Sequence, residues 1–405
     1  MKPPFEQPAL NRTLTLPYLL FYGLGVTIGA GIFALIGQVL ALAGDRAPQS
    51  FLLAALIAGA TGVSYAILIR IYPRAGGEAV FVGRGMGKVF GLAAGLGVVV
   101  TAIVSSATIS LAFAGYAGTL LPVPPMVLVA GLVAILALVA WWGVRESVIL
   151  AAVITILETG TLVLVAAFGL PRFVTPETIA MAFSPPTTLS AFSPVLAGTI
   201  LAFFAFIGFE DIVNMAEETR EPERTVPRAV LWTLALTLFL YLAIALVAIS
   251  IPGRDAVSTS SAPMATLFEL ATGWPGGPIS AMASIAMVNG VLVQIIMAAR
   301  VLYGMANEGQ MPGIFGRVDP IRRTPVFSTA FVAALILVLA LTVPLVSLAE
   351  VTSIVTIAVF AMVNFSLFSL GSKENDPWAR RMRWWGMFAA MLCVVILAWQ
   401  ASTLF

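Results

Sequence analysis

The sequence predicts an all-α polytopic membrane protein of about eleven spans, arranged as a five-plus-five inverted repeat with broken first and sixth helices. Three observations carry this. Hydrophobic residues make up 60% of the 405-residue chain and charged residues 10%, with a mean hydropathy of +1.03; a soluble domain does not have this composition. Lysine and arginine fall almost entirely on alternate loops. Two apolar runs, five spans apart, are interrupted at their midpoints.

Apolar runs lie near 16–42, 50–71, 88–120, 125–143, 147–170, 192–215, 229–250, 278–304, 326–345, 349–370 and 384–404, separated by Gly, Pro and charge clusters. Each is long enough, or nearly so, for the roughly 20 residues that cross a bilayer as helix. The first is too long for a signal-peptide core and shows no cleavage site, so it is read as a span. Placing the N-terminus inside and alternating puts 18 of the 21 basic residues on the inner loops and leaves Arg46, Arg172 and Arg254 outside. One missed span would scramble every later loop, so the bias supports the count. The expected organisation is an inner segment 1–15, a first repeat 16–170, an outer linker 171–191, a second repeat 192–370, and an inner loop with an accessory span over 371–405. Within 251–277, Ser260-Ser261-Ala262-Pro263 followed by Met264 to Leu270 predicts a short surface helix with a serine cap.

The first run contains Gly23, Gly25, Gly29 and Gly31 where a stable helix would hold none. Each interior glycine costs about 0.5–1 kcal/mol against alanine. A backbone break at bilayer depth survives only if it is buried in protein or faces a wet cavity. The helix is therefore expected to break at Gly29-Ala30-Gly31, with the amides of Ile28 to Ile32 forming a binding site. Close helix packing through Gly25-xxx-Gly29 is the alternative. In the sixth run, Phe203-Phe204-Ala205-Phe206-Ile207-Gly208-Phe209 leads into Glu210 and Asp211. Charges at bilayer centre cost about 2.5–3.5 kcal/mol each on insertion scales and normally face a cavity or a partner. Interruptions in spans one and six are what an inverted repeat with a midplane site produces.

No histidine and a single cysteine, Cys393, are present. Metal or nucleophilic chemistry built on these residues has almost nothing to work with, and neither an enzyme activity, a cofactor, a metal nor a nucleic-acid partner is expected. A passive channel would need continuous polar faces along several spans, which are not seen.

Several motifs together resemble the amino acid–polyamine–organocation permeases. Gly29-Ala30-Gly31-Ile32-Phe33 is similar to their first-span motif, Phe204 to Glu210 to their sixth, and Ala216-Glu217-Glu218-Thr219-Arg220-Glu221-Pro222-Glu223-Arg224-Thr225-Val226-Pro227-Arg228-Ala229 to the loop that follows. Gly143-Val144-Arg145-Glu146-Ser147 matches the start of their fifth span and Ala299 to Pro312 the end of their eighth. The resemblance implies a secondary transporter of amino acids in the cytoplasmic (inner) membrane, coupled to a proton or sodium ion or working by exchange. Many such permeases have twelve spans, one more than counted here. It implies a substrate carboxylate on the first-span amides. The substrate ammonium would meet sixth-span carbonyls near Phe203, Phe204, Phe206 and Gly208. Aromatic faces there would add about 0.5–2 kcal/mol of cation–π attraction, although core packing is the plainer role for these rings.

Glu158, midway along the fifth span, is the expected coupling residue. Many relatives place a lysine here that stands in for a bound sodium; this chain has a carboxylate, which can carry a proton or meet a cation. Glu210, Asp211, Ser105 and Asn289 are candidates for the cavity or its gate, with Ser106, Thr108 and Gln294 beside them. Such residues also bond across helices or back to their own carbonyls. A polyamine or organic-cation permease is the alternative if Glu158, Glu210 and Asp211 all face the cavity. Oligomeric state is not legible.

Overall fold

The computed structural model describes residues 12–73, 77–143, 148–186, 188–372 and 376–403. Val144 to Ser147 of the fifth-span motif lie outside them, as do residues 1–11. The helices are α1 (Leu16–Ala43), α2 (Ala47–Ile71), α3 (Gly77–Met86), α4 (Lys88–Gly118), α5 (Pro125–Trp142), α6 (Val148–Phe173), α7 (Pro176–Ala182) and α8 (Leu189–Phe204). Then follow α9 (Asp211–Asn214), α10 (Pro222–Ser250), α11 (Arg254–Thr259), α12 (Pro263–Thr272), α13 (Gly277–Asn307), α14 (Val326–Thr342), α15 (Leu345–Leu370) and α16 (Pro377–Ser402). Among the described residues the only strand-like pairing is one bridge, Leu14 to Thr219.

Proline stands at the first or second position of α1, α2, α5, α7, α10, α12, α13 and α16. The N–H it lacks is one that a helix start cannot bond internally, and its φ is already helical. The prolines that read as separators in the sequence thus mark where spans begin.

Among the described residues, eight helical stretches are long and apolar enough to cross a membrane. The first of them, Leu16–Ile71, joins α1 and α2, while Ser190–Phe204 and Val326–Thr342 are shorter apolar helices. The chain is an all-α integral membrane protein.

The core is built around α1, which touches α2, α4, α6, α8, α10, α12 and α13. Its second half is buried on nearly every side, Ile32 to Ile36 included. A helix apolar all round has to be enclosed. By contrast α16 packs on α15 and α2 at the periphery, with Trp384 and Val395 exposed.

Two expectations need correction. The predicted surface helix is α12, and it is not on the surface: Met264 and Leu267 are fully buried. Its N-cap is Ala262, and Ser260 accepts the Ala262 N–H instead of capping the helix. The sixth-span interruption is wider than its glycine and acids, because α8 ends at Phe204 and turns occupy 205–210 before the one-turn α9. Between the second and third spans lies α3, on which no expectation was placed.

Candidate functional site

Two helix breaks define the site. Inside α1, Gly29 alone leaves the helical region, with φ 21 and ψ −139. Gly208, with φ 118, turns the chain after α8. A Cβ on Gly208 would stand 2.8 Å from the Val26 carbonyl oxygen, so the two broken segments touch where a side chain would separate them. Gly31 makes the same kind of contact, since a Cβ there would lie 2.6 Å from Ala205 Cα. At Gly29 a Cβ would meet nothing within 4 Å. Tyr241 of α10 joins the breaks, its hydroxyl lying 2.9 Å from the Ala205 carbonyl and 3.2 Å from that of Thr27.

A cavity of about 290 Å³ opens at this junction, of the size that holds a small molecule. Its lining runs along α1 from Ala30 back through Gly29, Val26, Gly25 and Tyr22 to Tyr18, in the helix's first turn. The cavity therefore reaches the end of the bundle where α1 begins. Opposite α1 stand Thr101, Ala102 and Ser105 of α4, Asn289 and Gln294 of α13, and Phe360 of α15. Ser105 donates to Gln294 Oε1, and Thr101 and Thr356 hydroxyls pair at 3.2 Å.

Four carboxyls line this space: Glu78, Glu158, Glu210 and Asp211. Glu210 Oε2 accepts the Gly208 N–H at 2.8 Å, folding the acid back onto the break. Glu78, at the start of α3, accepts the Tyr65 hydroxyl at 2.8 Å. Glu158 differs from both. It is 1% exposed, and neither carboxyl oxygen has a hydrogen-bond partner among the described residues.

Of the residues singled out in the sequence, Gly29, Ala30, Gly208, Glu158, Glu210, Asp211, Ser105 and Asn289 line one cavity. Ile28, Gly31, Ile32, Phe203, Phe204 and Phe206 are not among its lining residues. The three phenylalanines are core. Phe203 packs edge-on against Phe360 at 5.8 Å and Phe206 against Tyr241 at 5.1 Å, and all three are buried. Ser106 and Thr108 are also off the lining; Thr108 returns its proton to the Val104 carbonyl at 3.0 Å. Arg220, Glu221, Glu223 and Arg224 are exposed at the turn into α10, while Thr219 and Pro222 between them are buried. The Arg224–Glu221 pair, at 3.7 Å, is exposed on both sides, an arrangement worth about 0–1 kcal/mol. Sequence reasoning missed Glu78, Tyr65 and Tyr241. An acid following Gly76-Gly77 and preceding Ala79-Val80-Phe81-Val82 was a readable helix start for the first; a tyrosine in an apolar span gives no comparable signal.

A family model described as amino acid permease matches residues 14–403. An uncharacterized transporter of Mycobacterium tuberculosis is 29% identical over 91% of this chain and 82% of its own length. The branched-chain amino acid permease of Bacillus subtilis is 25% identical over 91% and 83%. A vacuolar cationic amino acid transporter of Arabidopsis thaliana is 28% identical over 89% and 60%. The family match spans nearly the whole chain, helix breaks and carboxyl-lined cavity included, and the chain belongs to the amino acid permease family.

Proposed function

We propose that this permease is a secondary active amino acid transporter of the cytoplasmic membrane, working by alternating access with proton coupling through Glu158. The observation that carries the reading is the convergence of both helix breaks on one cavity. The second half of α1 presents its N-terminal end to that cavity, and such an end offers free N–H groups and partial positive charge to a carboxylate. The ammonium group is assigned to the sixth-span break, beside Gly208 and Glu210. Sodium coupling and exchange are the alternatives at Glu158. The repeats are assigned to 16–170 and 192–370, joined by an outer linker 171–191, with 371–405 an inner loop and the eleventh span.

The N-terminus is assigned to the cytoplasm and the C-terminus to the outside, from the 18-to-3 split of basic residues. A reporter active only in the cytoplasm, fused after Phe405, should stay silent; activity would mean an even span count or an inverted chain.

One observation favours a second reading, in which the substrate carries an extra positive charge. The cavity lining contains four carboxyls and no lysine or arginine. Relatives with either kind of name, branched-chain or cationic, match this chain equally broadly. Uptake into proteoliposomes tests both. Saturable, counterflow-capable flux of an amino acid is expected. Competition by lysine, arginine or a diamine, but not by leucine, would select the cationic substrate. Flux without counterflow would overturn the permease mechanism.

A further inference from the structure

Beyond Ala30, toward the end of the bundle where α1 stops, lies a second cavity of about 300 Å³, lined in part by Ala34, Gln38, Leu111, Gly115, Ser261 and Pro263. Along α1 its lining begins at Ala34, four residues past Ala30 of the central cavity, which is about 6 Å of helix. Along α4 the two linings are closer still, Ile109 facing the central cavity and Leu111 the second. The barrier between a substrate-sized space and this end of the bundle is therefore about one helical turn thick.

One hydroxyl ties that barrier together. Tyr116 of α4, fully buried, donates to the Phe33 carbonyl of α1 at 2.7 Å and accepts the Met264 N–H of α12 at 3.0 Å. The neighbours of all three residues, Gly115, Ala34 and Pro263, line the second cavity. The α11–α12 segment is pressed against α1 without intervening side chains, since a Cβ on Gly37 would lie 2.6 Å from the Val257 carbonyl oxygen. Its far end is tied down as well, by the ion pair of Arg254 with Asp45.

We propose that Tyr116 is the positioning residue of the outer seal: its hydroxyl holds α1, α4 and α12 together while the central cavity is open at the opposite end, and it releases both bonds when the seal opens. The inference rests on the alternating-access reading above. The Met264 N–H, in the first turn of α12, has no partner within its own helix and needs water in place of the Tyr116 hydroxyl. The second cavity, lined by the neighbours of all three residues, lies beside it, so opening of the seal and wetting of that cavity are one event.

The test uses thiol labelling from one face. The sole cysteine, Cys393, is buried, so Ser105→Cys supplies a reporter in the central cavity. In sealed vesicles of one orientation, a membrane-impermeant maleimide is applied from either side. Tyr116→Phe keeps the ring and removes both bonds; it should raise labelling from the outer face about tenfold, without raising it from the inner face. Unchanged labelling on both faces overturns the role of Tyr116 and leaves alternating access standing. Labelling that rises on both faces together overturns alternating access itself. A measurement with Tyr116 intact covers the case of a misfolded variant. A bulky adduct on Ser105→Cys, added from the inner face, should hold that side open and slow exchange of the Met264 amide about tenfold; unchanged exchange overturns the proposal.

Discussion

Glu158→Gln is expected to abolish accumulation driven by a pH gradient while leaving substrate binding and counterflow intact. In this conformation Glu158 is buried with both oxygens unpartnered. A carboxylate so placed has neither counter-charge nor hydrogen bond, which is costly for an ion, so the group is suited to hold a proton or a small cation. Gln is isosteric with the protonated acid and cannot release what it does not carry. Lysine, arginine and histidine do not line the cavity, so no basic side chain there can take over the task. The measurement is uptake under an imposed pH gradient beside counterflow in the same vesicles. Wild-type accumulation by the variant would remove Glu158 from the coupling path. A wild-type protein that responds to sodium and not to pH would make the site a cation site.

The second large effect is expected at the glycines, and it divides them. Gly208→Ala should lower stability by about 3 kcal/mol or more, because φ 118 is strained for any side chain and the added Cβ would press on the Val26 carbonyl. Gly31→Ala should act in the same direction through Ala205. Gly29→Ala should cost the fold less than Gly208→Ala, since it carries the backbone strain of φ 21 but its Cβ meets nothing within 4 Å, and its methyl group points into the space assigned to the substrate carboxylate. A lowered midpoint of thermal unfolding is thus expected for Gly208 and Gly31, and lost substrate affinity in a monodisperse protein for Gly29. Unchanged affinity at Gly29 would move the carboxylate elsewhere.

This division explains how far the sequence could be read. A cluster of glycines in an apolar span signals a break, and the break is there. The sequence does not say which glycine does what. Gly29 is the residue at which the helix breaks, and its Cβ position is open, whereas Gly31 lies in the helix beyond and abuts Ala205, so one faces the cavity and the other the sixth span. The phenylalanines of the sixth span fail for a related reason. Aromatic residues beside a break are equally suited to ligand contact and to filling the core, and their direction is set by Tyr241 and Phe360, which come from distant spans. Glu158, Glu210 and Asp211 were legible because an acid in an apolar run has few acceptable surroundings. Glu78 was not, because it lies between spans, where an acid is ordinary; only the packing of α3 against α4 and α15 brings it inward.

Tyr241 has one hydroxyl hydrogen and three carbonyls within reach, Ala205 at 2.9 Å from one broken segment and Thr27 at 3.2 Å and Ile28 at 3.5 Å from the other. It can serve only one at a time. A rotation about the phenolic C–O bond moves the hydrogen from one segment's carbonyl to the other's with no net change in the number of bonds Tyr241 donates. The Ala205 bond is the shorter and lies in the ordinary range for a hydroxyl donor, so it is the favoured one in this arrangement. The two broken segments thus share a single donor across their joint, and a change in their spacing moves that hydrogen from one carbonyl to the other.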